Sequence, residues 1–174
     1  IFKNNWQYAG RSDQVQKPGD FITTNIGGQP VLLVRNKDNK LKAVANVCRH
    51  RAARIECRQQ GHATRFRCRY HGWAYDLNGR LCGTPDFDGV KDFDKSKLPL
   101  PEYQVGVWGP FIFVHLGGLK SGLHNDFDDF IIPLQKYRDQ MKIDHLVFCE
   151  RKEWLINCNW KIFVDNYQDG GYHI

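Results

Sequence analysis

A chain of 174 residues with 41% apolar and 25% charged residues has an ordinary globular composition, with room for one core and the start of a second. No apolar run approaches the roughly 20 residues that cross a bilayer, and Ile1-Phe2-Lys3-Asn4-Asn5 lacks the sections of a signal peptide. The first residue is not Met, so a processed or trimmed chain is expected, with any targeting segment already removed.

The six cysteines are too sparse for a disulfide scaffold, and two of them sit beside histidines, which favours metal and a reducing compartment. Net charge is +6, with Arg49, Arg51, Arg54, Arg58, Arg65, Arg67, Arg69 and Arg80 facing only Glu56 and Asp76 in the same stretch. That patch reads as a solvated face or as a docking face for an acidic electron donor, with nucleic acid a distant third.

In chain order, Gln29 to Arg35 is a short branched apolar run, followed by the polar turn 36–40 and by partial alternation from Leu41 to Val47. This predicts a hairpin that delivers Cys48. Thr64 to Arg67 leads similarly into Cys68, and Trp73 to Tyr75 pairs with Arg80 to Cys82 across a turn carrying Asn78-Gly79. The stretch 85–101 is rich in Asp, Lys and Pro and reads as an irregular loop. Val105 to Trp108 and Phe111 to Leu116 make a last pair around Gly109-Pro110, so the expected fold is mostly β, a small antiparallel sandwich closed by the glycines at 117, 118 and 122.

Asp126 to Lys142 has helical spacing through Phe127, Phe130, Leu134 and Tyr137, with Pro133 expected to kink or divide it. His145 to Ile156 reads as a strand. Asn159 then caps a helix with Phe163, Val164 and Tyr167 on its apolar face, loosened or ended by Gly170-Gly171. The expected division is a first domain over 1–144, with metal-binding loops at about 46–82, and the α+β beginning of a second over 145–174.

The residues that carry chemistry are Cys48-Arg49-His50 and, after seventeen residues, Cys68-Arg69-Tyr70-His71. Two thiolates and two imidazoles in two mixed arms suit a [2Fe–2S] cluster, with Cys48 and Cys68 on one iron and His50 and His71 on the other. The imidazoles raise the potential to roughly −150 to +300 mV, against about −400 mV for an all-cysteine cluster. A structural zinc site is the rival, although zinc fingers usually pair Cys with Cys and place His on a following helix.

The motif Cys-x-His, a gap, then Cys-Arg-Tyr-His-Gly-Trp-Ala-Tyr-x-x-x-Gly resembles the Rieske domain of Rieske non-haem iron oxygenases, over nearly the whole chain. The resemblance implies a Rieske-type antiparallel β-sandwich with cluster-binding hairpin loops, followed by the start of an oxygenase catalytic domain. Rieske proteins of respiratory complexes carry a further cysteine close after each ligand pair; here Cys57 follows His50 and nothing equivalent closely follows His71, which favours the oxygenase branch. Gly72 allows a tight turn behind His71. Trp73 and Tyr75 either shield the cluster or simply fill the core. Cys57, Cys82, Cys149 and Cys158 are expected to be buried free thiols, and His62, His115, His124 and His145 surface or core histidines.

Asn159 to His173 resembles the approach to the oxygenase catalytic domain, which implies that His173 is the first ligand of a mononuclear non-haem Fe(II). The family's second His and its carboxylate would lie beyond Ile174. An acid that bridges a Rieske His to the iron across a subunit boundary commonly occupies the position of Gly170, so Asp169 is the substitute and Asp165 the reserve.

The run Asp-Asn-Tyr-x-Asp-Gly-Gly-Tyr-His is similar to choline monooxygenases and implies a quaternary-ammonium substrate; an aromatic-ring hydroxylating alpha subunit is the alternative, and a stand-alone Rieske ferredoxin would have no use for this tail. The implied partners are a flavin/iron–sulfur reductase or ferredoxin as electron donor, a small-molecule substrate and the other subunits of a homo-trimer. Neither nucleic acid nor membrane is expected, and the compartment is the cytoplasm, or the plastid stroma in a plant.

Overall fold

In the computed structural model, residues 2–117 and 127–170 are described. Among the described residues ten strands form: β1 (Gln7–Arg11), β2 (Asp20–Ile26), β3 (Gln29–Arg35), β4 (Leu41–Ala45), β5 (Gln60–His62), β6 (Phe66–Arg67), β7 (Ala74–Tyr75), β8 (Leu81–Gly83), β9 (Glu102–Trp108) and β10 (Phe111–His115). Seven of them make one antiparallel sheet in the order β1-β10-β9-β4-β3-β2-β5, and β6-β7-β8 make a second.

Strand β3 explains how the two sheets share a core. Its side chains alternate between faces, yet Val31, Leu32, Leu33 and Val34 are all buried, because both faces are covered. Val31 and Leu33 join Ala9, Val15, Ile22, Ile112 and Val114, an apolar cluster contributed by both ends of the large sheet, which therefore curls around it. Leu32 and Val34 point the other way, toward Phe66, Tyr75 and Leu81 of the small sheet and Trp73 just ahead of β7. That second core is the platform on which the cysteine arms stand.

Up to residue 117 the strands expected from the sequence are present within a few residues, whereas β1, β2 and β5 fall outside those expectations. β1 is polar and broken by a register shift between Tyr8 and Gly10, so it shows no clean alternation. β2 turns into β3 through Gly27 and Gly28, both with positive φ, as a two-residue hairpin requires.

Helix α1 (Phe127–Gln140) runs through Pro133 as one element instead of two. Pro133 is exposed, so water can satisfy the backbone carbonyl that its missing N–H leaves free.

The strand expected over 145–156 is absent. Ile143–His145 is a 3-10 turn, and residues 146–159 run on with no strand partner among the described residues. Their first backbone groups are held by side chains instead: Arg11 donates to the Leu146 carbonyl, and Asp13 accepts from the Phe148 N–H at 3.2 Å. Helix α2 (Trp160–Gln168) begins as expected at Asn159, whose Oδ1 accepts from the Lys161 N–H at 3.0 Å, and it ends before Gly170. Among the described residues, no helix is long and apolar enough to cross a membrane.

Candidate metal centre

Both cysteine arms are built to one pattern. In the first, the Cys48 N–H donates to the Ala53 carbonyl at 2.8 Å and the Ala52 N–H to the Cys48 carbonyl at 3.0 Å. In the second, the Cys68 N–H donates to the Trp73 carbonyl at 2.8 Å and the Gly72 N–H to the Cys68 carbonyl at 2.9 Å. Each turn requires one left-handed residue at the same place, Ala52 (φ 57°) and Gly72 (φ 74°). At Gly72 an added Cβ would also lie 3.1 Å from Pro85 Cγ, so glycine serves both conformation and space there.

The first arm is tied at its base by a buried side chain. Asn46 Nδ2 donates to the Glu56 carbonyl at 2.7 Å, and the Glu56 N–H donates back to Asn46 Oδ1 at 2.9 Å. The Glu56 carboxylate is gripped at both oxygens by the Arg58 guanidinium, at 3.0 and 2.7 Å, and that guanidinium lies over the Phe21 ring. The ion pair holds the Glu56 carboxyl below the usual carboxylate range, against the opposing effect of burial.

These turns bring the four expected side chains into one neighbourhood. Cys48 and Cys68 are each only 3% exposed, while the His50 and His71 rings sit 4.6 Å apart nearer the surface. His50 Nδ1 is buried and has no hydrogen-bond partner. Such an orphaned ring nitrogen is costly unless something binds it, and a metal ion is one such group. Burial first, and then the neighbouring His71 and Arg51, lower the His50 pKa, which favours the neutral imidazole that a metal takes.

No three His, Cys, Asp or Glu side chains converge on a point as a single-ion site requires, among the described residues. A two-iron cluster asks for only two protein donors on each iron, so this donor set fits it.

Tyr75 joins the first arm through its hydroxyl, a contact the sequence did not reveal. It is fully buried; its hydroxyl accepts from the Arg49 N–H at 3.0 Å and lies 3.4 Å from Cys48 Sγ. With one lone pair used by Arg49, the hydroxyl proton is available to the sulfur. Burial, then the Cys48 contact, push the phenol well above its ordinary range, so it remains a donor. Asn46 had likewise been read only as a strand residue.

The remaining expectations divide. Cys57, Cys82, Cys149 and Cys158 are free thiols but are exposed, contrary to expectation. Cys82 alternates with buried Leu81 on a strand covered on one face, and Cys149 and Cys158 lie on the unpaired stretch after α1. His115 is a buried core histidine, His62 is exposed beside Asp20, and His145 is exposed. Asp165 and Asp169 are exposed on α2 and at its C-terminal cap, joined by a backbone bond. His124 and His173 lie outside the described residues. Arg49, Arg51, Arg54, Arg65, Arg67, Arg69 and Arg80 are exposed, and of the arginine run only Arg58 is ion-paired among the described residues.

Two buried thiols and two adjoining imidazoles, presented by equivalent turns on a curled β platform, are the donor set of a mixed-ligand iron–sulfur domain. The chain belongs to the Rieske [2Fe-2S] domain family, whose model matches residues 5–94. It is 34% identical over 181 residues to a chloroplastic choline monooxygenase of Arabidopsis thaliana, covering all of this chain and 43% of that protein. Benzene 1,2-dioxygenase subunit alpha of Pseudomonas putida is 32% identical over 187 residues, covering 99% of this chain and 39% of its own length. Among solved structures, the quaternary ammonium Rieske monooxygenase CntA in complex with gamma-butyrobetaine superposes with a TM-score of 0.85 at 28% identity, covering 96% of this chain and 47% of that one. The chain thus spans less than half the length of the curated relatives it matches.

Proposed function

We propose that the chain is the electron-carrying part of a Rieske non-haem iron oxygenase, with Cys48 and Cys68 on one iron and His50 and His71 on the other. The observation that carries this reading is the pair of equivalent turns that bury both sulfurs and set the two imidazoles side by side. Bound there, the cluster supplies a one-electron couple at roughly −150 to +300 mV. The protein's part is to bury the sulfurs, donate a hydrogen bond from the Tyr75 hydroxyl to Cys48 Sγ, and present His50 Nδ1 inward. The imidazoles, nearer the surface than the thiols, are the shorter route to a redox partner.

Residues 145–174 would then begin the catalytic domain, with His173 as the first mononuclear iron ligand and Asp169 as the bridging acid. Electrons would come from a flavin/iron–sulfur reductase or ferredoxin, whose acidic face the unpaired arginines suit. The full-length protein would be a homo-trimer in the cytoplasm or plastid stroma. Choline or a similar quaternary ammonium is the favoured substrate, supported by the choline monooxygenase likeness over the full chain and by the CntA superposition. An aromatic ring is the second reading, supported by the dioxygenase relatives at nearly the same identity.

The test is turnover. The full-length protein with a reductase should consume oxygen and oxidise choline, whereas this chain alone should accept and release electrons without product. Product formed by the 174-residue chain alone would contradict the assignment. Oxidation of an aromatic hydrocarbon in place of choline would select the second reading.

A further inference from the structure

We propose that Phe87, on the loop between β8 and β9, is a positioning residue for His50: it holds the imidazole against Trp73 and keeps water from the nitrogen side of the metal centre. The proposal rests on the ligand assignment above.

His50 is stacked on Trp73, with ring centroids 4.8 Å apart and planes 10° from parallel. Phe87 stands edge-on to both rings, 6.0 Å from His50 and 5.3 Å from Trp73. Phe93 backs Phe87 at 4.8 Å and reaches Trp73 at 5.8 Å. With His71 at 4.6 Å, the half-buried His50 ring has three aromatic neighbours.

A metal-bound histidine is usually oriented through a hydrogen bond from its other ring nitrogen to a carboxylate or carbonyl. Among the described residues no hydrogen bond orients His50, and within the chain its ring angle is set by the rings packed on it. Two polar ring atoms, His50 Nδ1 and Trp73 Nε1, are buried here. Trp73 and Phe87 are the rings that cover this side.

The loop's backbone is shaped for the task. Asp86 takes a left-handed φ of 61° immediately before Phe87, and Asp92 (59°) does so immediately before Phe93. Asp tolerates that conformation better than most side chains. Two otherwise ordinary acidic residues thus turn the chain just ahead of the two phenylalanines packed on the core. Pro85, from the same loop, lies close behind Gly72, so one loop touches both arms, His50 through Phe87 and the second turn through Pro85.

The test compares Phe87→Ala, Phe87→Leu and Phe93→Ala in the cluster-loaded chain, after thermal unfolding has established that each is folded. Two quantities are read: the rate at which cluster absorbance is lost in air-saturated buffer with EDTA, and deuteron coupling to the reduced cluster by pulsed EPR in D2O. Phe87→Ala is expected to lose the cluster several-fold faster than wild type and to gain deuteron coupling. Phe87→Leu, which keeps an apolar cover, should stay near wild type, and Phe93→Ala, which packs on Trp73 and Phe87 but not on His50, should change far less than Phe87→Ala. Unchanged rates and spectra in Phe87→Ala would overturn the proposal, as would equal effects in Phe93→Ala, which would mean general loosening. A wild-type chain that binds no iron and sulfide would overturn the ligand assignment itself, a result distinct from either.

Discussion

Replacing Tyr75 by Phe removes one oxygen and leaves the ring that fills the core. That oxygen holds two contacts, the Arg49 N–H at 3.0 Å and Cys48 Sγ at 3.4 Å. Reduction adds negative charge to the cluster and its thiolates, so a donor aimed at a ligand sulfur stabilises the reduced state more than the oxidised one. A hydrogen bond to a charged acceptor contributes about 1.5–3 kcal/mol, of which a differential of about 1–2 kcal/mol between redox states is reasonable. For a one-electron couple, where about 59 mV corresponds to 1.4 kcal/mol, Tyr75→Phe should lower the midpoint potential by about 40–85 mV. The assay is a redox titration followed by visible circular dichroism, with wild type alongside. Fold stability should fall by only about 1 kcal/mol, from the Arg49 N–H left without its acceptor. An unchanged or raised potential in a folded, cluster-loaded variant would refute the reasoning, because the hydroxyl would then not be donating to the sulfur.

Asn46→Ala removes both bonds at the base of the first arm and leaves the Glu56 N–H and carbonyl buried without partners, a loss of about 2–4 kcal/mol measurable by urea unfolding. A loss below about 0.5 kcal/mol would mean that the base is not closed by this amide. The left-handed positions should respond in opposite senses: Ala52→Gly should be neutral or stabilising by up to about 1 kcal/mol, while Gly72→Ala should destabilise by more than that through both φ and the Pro85 contact. Similar effects from the two would contradict their equivalence.

Because the Glu56 carboxyl is lowered in the fold, chiefly by Arg58, its contribution is fully present above the unfolded value and is lost as pH falls through the folded one. Glu56→Gln should therefore flatten the fall in stability below about pH 4.5 and change little of the slope at neutral pH; an unaltered acid limb would sink this account. Finally, electron transfer from an acidic ferredoxin should slow steeply with added salt, and a rate independent of ionic strength would reduce the arginines to a solvated face.

The sequence disclosed the four donors because metal chemistry constrains residue type and spacing together, and the hairpins ending at Cys48 and Cys68 were legible as apolar runs meeting polar turns. It did not disclose β1, whose Gly10 sits beside a register shift, or β2, whose run Asp20 to Ile26 shows no regular alternation. The stretch after α1 misled for the opposite reason: Leu146-Val147-Phe148 has strand composition, but a strand needs a free neighbouring edge, and Arg11 and Asp13 take its first backbone groups instead. Composition also hid the loop over the metal centre. Its Asp, Lys and Pro residues marked it as irregular, while the two phenylalanines that matter are recognisable only from the rings they touch. Tyr75 was ambiguous between core and cluster until its hydroxyl was placed beside Cys48.

The most direct measurement is ligand-resolved EPR of the reduced chain, combined with iron and sulfide analysis. Two irons and two sulfides per chain, with hyperfine coupling from two imidazole nitrogens that drops to one in His50→Cys or His71→Cys, is the predicted result for a mixed-ligand cluster. A single bound zinc, or an iron signal with no nitrogen coupling, would contradict it.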